Sequence, residues 1–75
     1  MEMYRNLGGI SGVAAYGFER DSITIQFNDG AIYLYNYVSA GRSNIETMKT
    51  LAAAGQGLNS FIMKHVRKSY AAKLR

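Results

Sequence analysis

The segment Asn28-Asp29-Gly30-Ala31-Ile32-Tyr33-Leu34-Tyr35-Asn36-Tyr37-Val38 decides how this chain folds, because it joins a hairpin signal to a strand with tyrosines at alternate positions. Asp-Gly supplies the positive φ of a tight hairpin, and the period of two along a strand puts Tyr33, Tyr35 and Tyr37 on one face. Just upstream, Ser22-Ile23-Thr24-Ile25-Gln26-Phe27 alternates strictly, the mark of a half-buried strand with Ile23, Ile25 and Phe27 facing the core. Loop length then determines which face the tyrosines join. A two-residue loop of Asp29-Gly30 pairs Phe27 with Ile32 and sets the tyrosines beside Thr24 and Gln26, free to stack on bases. A three-residue loop, with Gly30 in the left-handed region as a G1 bulge, pairs Phe27 with Ala31 and packs Tyr33 and Tyr35 with Ile25 and Ile23. The residue types favour the second loop. It leaves Ile32 and Leu34 on the outer face, as a partner surface or the seat of a crossing helix.

Working outward, residues 13–18 favour a further strand and Glu19-Arg20-Asp21 a polar turn, so the first half reads as an antiparallel meander. Leu7-Gly8-Gly9-Ile10-Ser11-Gly12 has three glycines in six residues, which predicts a flexible lead-in over residues 1–11 and a single domain over 12–75. Ser43-Asn44-Ile45-Glu46 matches a capping box. It predicts a helix from about Asn44 to Ala54, with Ile45, Met48, Leu51 and Ala52 on one side and Gly55 as a left-handed stop. A second helix begins near Gly57 or Leu58, its apolar stripe being Leu58, Phe61, Ile62, His65 and Val66. The expected class is α+β, a three-stranded antiparallel β-meander followed by two α-helices on one face (β-β-β-α-α).

Composition narrows the function. Seventy-five residues make one small core, and the absence of cysteine with a single histidine leaves no disulfide, thiol nucleophile or usual zinc set, so no metal or cofactor is expected. Neither a membrane-length apolar run nor a signal peptide is visible, and the expected location is cytoplasmic, with no membrane partner. His65 has no cysteine, second histidine or nearby carboxylate beside it and reads as a partly buried structural residue. The five acidic residues fall in turn, hairpin and capping roles without forming an acid–base pair, so no enzymatic activity is expected. Gly55-Gln56-Gly57 lacks the preceding strand and Lys-Ser/Thr ending of a phosphate loop and is read as a helix terminator.

Charge is placed asymmetrically. Residues 1–38 have two basic against four acidic side chains, whereas residues 39–75 have seven basic against Glu46 alone. The run Lys64-His65-Val66-Arg67-Lys68-Ser69-Tyr70-Ala71-Ala72-Lys73-Leu74-Arg75 holds five of these cations and no acid. Continued as one helix, it would be either a solvated face complementing the helix dipole or a phosphate-contacting face of Lys64, Arg67, Lys68 and Lys73, with Tyr70 for stacking.

Gly17-Phe18, Ile23-x-Ile25-x-Phe27, Tyr33-Leu34-Tyr35 and Leu58-Asn59-x-x-Ile62 resemble, in order and spacing, the motifs of the KTSC domain family over about residues 11–70. These are short domains found alone in bacterial proteins and at the C-terminus of some lysyl-tRNA synthetases. Val38-Ser39 stands where the family often has Val-Pro, and Leu58 where an aromatic is usual. The middle of the family's Y-x-Y is frequently polar, which implies that Tyr33 and Tyr35 face inward. The synthetase context implies RNA. The expected function is therefore a non-catalytic binding module for RNA or single-stranded nucleic acid, acting through the basic C-terminal helix. The alternative is a protein-interaction or self-association module using Ile32 and Leu34.

Overall fold

The computed structural model describes residues 1–9 and 11–75. Its centre is the predicted hairpin. Strands β2 (Val13–Glu19), β3 (Ser22–Phe27) and β4 (Ile32–Asn36) are antiparallel neighbours, with Ile25 opposite Tyr33 and Ile23 opposite Tyr35. The loop has three residues. Gly30 N–H donates to Phe27 O at 2.9 Å, Phe27 N–H to Ala31 O at 2.8 Å, and Gly30 takes φ 91°, the left-handed value that glycine adopts without steric cost. Asp29 Oδ1 accepts the Ala31 N–H at 3.0 Å and stiffens the turn.

The expected three-strand, two-helix class is corrected by elements at both ends. Among the described residues the sheet has five antiparallel strands in sequential order, because β1 (Glu2–Met3) adds beside β2 and β5 (Ala72–Lys73) beside β4. Three α-helices, α1 (Tyr37–Ala40), α2 (Arg42–Ala54) and α3 (Leu58–Phe61), stand between β4 and β5, and a π-helical segment (Ile62–Val66) continues α3. The segment read as a flexible lead-in thus contributes a strand. It also contributes to the core: Tyr4 is buried, and its hydroxyl accepts the Leu58 N–H at 3.3 Å. Farther on, Leu7 N–H donates to Gly55 O at 2.6 Å, and Arg5 Nη2 donates to Ala53 O.

The capping box also lies elsewhere. Asn36, extended at φ −137° and ψ 177°, accepts the Ser39 N–H at 2.8 Å, and Ser39 Oγ accepts the Asn36 N–H at 3.1 Å, a reciprocal cap at the start of α1. Tyr37 therefore leaves the strand and opens this helix. Helix α2 starts at Arg42 after Gly41 with no side-chain cap. Glu46, freed from the predicted capping role, accepts the Tyr37 hydroxyl at 2.7 Å and pairs with Lys49 at 3.3 Å. The Tyr37 hydrogen bond, then Lys49, holds the Glu46 carboxyl below its ordinary pKa, and the same bond raises the Tyr37 phenol.

The helices bury Ile45, Met48, Ala52, Leu58, Ile62 and Val66 against Ile23, Ile25 and Tyr35. Gly55 closes α2 in the left-handed region at φ 76°, as the spacing predicts. His65 is exposed instead of partly buried, its ring lying against Phe61 at 4.6 Å. Paired alternation puts Thr24, Gln26, Ile32 and Leu34 on the opposite sheet face, where Ile32 and Leu34 are half-buried. Among the described residues no helix is long and apolar enough to cross a membrane.

Candidate aromatic cleft

The inner sheet face is longer than the helices that cover it. Toward the hairpin end the cover stops, so Tyr35 is 1% exposed whereas Tyr33 and Phe27 on the same face are only half-buried. The gap is a cleft of about 570 Å³, floored by Phe27, Tyr33 and Tyr35 and rimmed by Asn28 and Asp29 of the hairpin. Met63, Arg67, Lys68 and Tyr70 from the C-terminal segment complete it. This volume lies within the roughly 300–1,000 Å³ usual for small-ligand sites.

Two departures from regular helix bring the C-terminal residues here. The widened i→i+5 turns of the π segment keep Ile62 and Val66 in the core while Met63 remains 44% exposed at the cleft. Such turns are poorly populated and often occur at functional sites. After Val66 the helix ends: Ser69 N–H donates to Val66 O at 2.7 Å, and the chain swings back to the sheet, where Ala71 N–H donates to Leu34 O at 2.6 Å. The basic C-terminal helix expected through Lys73 is thereby corrected. Backbone groups on the open edge of β4 find partners in β5, and this pairing outweighs continuation of the helical spacing.

That return sets an aromatic group over the strand tyrosines. The Tyr70 ring lies 4.7 Å from Tyr33 and 6.3 Å from Tyr35, the latter edge-on at 88°, and Phe27 meets Tyr33 edge-on at 5.7 Å. These are favourable separations for aromatic pairs. Lys73 Nζ lies 5.8 Å from the Tyr33 ring centroid, within cation–π range. Burial first, then the neighbouring Tyr33 and Tyr70 phenols, push the Tyr35 pKa up to about 12. Tyr35 is consequently a neutral phenol throughout the ordinary pH range.

Of the residues predicted from sequence, Arg67, Lys68 and Tyr70 line the cleft and Lys73 caps the ring of Tyr33. Lys64 is exposed but does not line it. Ile32 and Leu34 lie on the other face of the sheet. Sequence reasoning missed Met63, Asp29 and the open side of Phe27. For Phe27 a signal was present in its place at the last position of its strand, next to the hairpin turn. Among the described residues no group of three or more His, Cys, Asp or Glu side chains could hold a metal ion. No family model matches the chain, and no curated protein or solved structure is found to be similar to it.

Proposed function

We propose that this chain is a non-catalytic binding module for single-stranded nucleic acid, with RNA favoured by the KTSC resemblance. The observation that carries the reading is the conjunction, in one cleft, of the aromatic side chains Phe27 and Tyr70, packed around Tyr33, with the cations Arg67 and Lys68. Bases of any identity have a π-face to stack, and phosphates seek fixed positive charge; proteins that hold single strands combine the two. Burial of Tyr35 and the fixed hairpin make the floor rigid, so little ordering cost falls on binding. His65 is exposed with its ring against Phe61, and among the described residues no hydrogen bond orients it as a base.

A second reading, protein interaction through the outer sheet face, is favoured by the apolar side chains of β4 there, the half-buried Ile32 and Leu34. A nuclear magnetic resonance titration with a U-rich hexanucleotide at low salt distinguishes the two. Shifts at the Met63 methyl and the Tyr33 and Tyr70 ring protons are the expected result. A spectrum that stays unchanged refutes nucleic-acid binding, and shifts confined to the Ile32 and Leu34 methyls move the contact to the outer face.

A further inference from the structure

The cleft is electrically two-ended. Arg67 and Lys68 enter it after the π segment, and Asp29 enters from the tip of the hairpin. Among the described residues the one ion pair is Lys49–Glu46, so the Asp29 carboxylate is not neutralised by either cation at contact distance. It is nevertheless held in place, because Oδ1 accepts the Ala31 N–H at 3.0 Å while Gly30 fixes the turn beneath it. Oδ2 and the second lone pair of Oδ1 remain as acceptors at the rim of an aromatic site.

Resting on the nucleic-acid reading above, we propose that the cleft prefers guanine and that Asp29 reads its Watson–Crick edge. A phosphate is repelled by Asp29 and attracted by Arg67 and Lys68, which orients a bound nucleotide with its base edge toward the hairpin. An ionised carboxylate only accepts hydrogen bonds. Guanine presents two adjacent donors, N1–H and the N2 amino group, and satisfies it fully. Adenine and cytosine place a ring-nitrogen acceptor beside their single amino group, and uracil flanks its one N–H with two carbonyl oxygens, so each opposes a lone pair to the carboxylate. A good two-point contact of this kind is worth about 1–3 kcal/mol of discrimination, or about 5- to 150-fold.

The experiment compares hexanucleotides of uridine carrying a single central G, A, C or U, titrated against the intact chain and against Asp29→Asn. The asparagine keeps an acceptor for the Ala31 N–H and suits the turn, but puts an amino donor where Oδ2 was. The expected result is that the native chain binds the G-containing oligomer at least about fivefold more tightly than the all-U oligomer, and that Asp29→Asn abolishes or inverts this order while still binding. Equal affinity for all four oligomers, or an unchanged order in Asp29→Asn, overturns the guanine assignment and leaves the binding function standing. Absence of binding by any oligomer overturns both.

Discussion

If Arg67 and Lys68 are the phosphate contacts of the cleft, neutralising them should change the salt dependence of binding by a calculable amount. Each contact to a single strand contributes about 0.7 to the slope of log K against log salt, so Arg67→Gln/Lys68→Gln should flatten it by about 1.4. Between 50 and 200 mM salt the native chain should then lose about sevenfold more affinity than the variant over the same range. Both side chains are exposed, and surface substitutions of this kind alter stability by about 0.5 kcal/mol or less, so a change in binding is not a change in folding. Lys64→Gln is the internal comparison: it removes an equal charge from a residue outside the cleft and should leave the slope within error. Fluorescence anisotropy with a labelled U-rich hexamer over a salt series measures all three proteins, and circular dichroism verifies their fold. A slope change from Lys64→Gln half as large as that of the double variant would show that only net charge matters, and a double variant with the native slope would remove phosphate contact from this cleft altogether.

The N-terminal segment gives a second test: Gly55→Ala would bring a Cβ to 2.8 Å from Arg5 Cβ at a backbone φ of 76°. The left-handed conformation alone costs about 1–2 kcal/mol, and hydrogen exchange at the Leu7 amide should accelerate as residues 5–7 are displaced; native protection there would contradict their docking. Tyr35→Ala empties a fully buried aromatic position and should cost about 3–5 kcal/mol in urea unfolding, with a loss below about 1 kcal/mol refuting its core role. Because the folded-state pKa of Tyr35 is raised to about 12, the unfolded chain ionises first, so stability is retained below about pH 10 and declines from there to about pH 12. Tyr35→Phe should make that alkaline decline shallower, and identical profiles would remove Tyr35 as its source. Asn36→Ala deletes the cap of α1 and should cost about 0.5–2 kcal/mol by denaturant unfolding; a neutral effect would make the reciprocal Asn36–Ser39 bonds incidental.

What could be read from the chain alone was what is decided locally. The Ser22–Phe27 alternation, the Asn28-Asp29-Gly30 loop and the Gly55 stop each depend on neighbours within a few residues, and the structure has all three. Strands β1 and β5 have two residues each and no periodicity to detect; they exist because the open edges of β2 and β4 offer partners. Between Leu58 and Tyr70 no glycine or proline marks an end, so spacing alone carries the helix past Val66, where pairing with β4 turns it back. The capping box was misplaced for a related reason, since Ser43 and Glu46 have the right spacing but the strand ends at Asn36, where a cap is first needed.

The opposition between core and platform for the tyrosine strand then dissolves. The register puts Tyr33 and Tyr35 on the inner face, yet only Tyr35 is sealed, because the helices end short of the hairpin and the C-terminal return covers the remainder incompletely. Tyr33 anchors the sheet through one side and presents the other to Tyr70 and Lys73. A cleft assembled this way needs residues from the hairpin and from a segment more than thirty positions later in the chain, which is why neither the aromatic run nor the basic run, read separately, showed where a ligand would lie. It also predicts a coupling between them: loss of the β4–β5 pairing should weaken oligomer binding even with every aromatic and basic side chain intact. Replacing Ala72 by proline should disrupt the short β5 pairing with Leu34, and undiminished affinity in that variant would show that the cleft functions without its C-terminal wall.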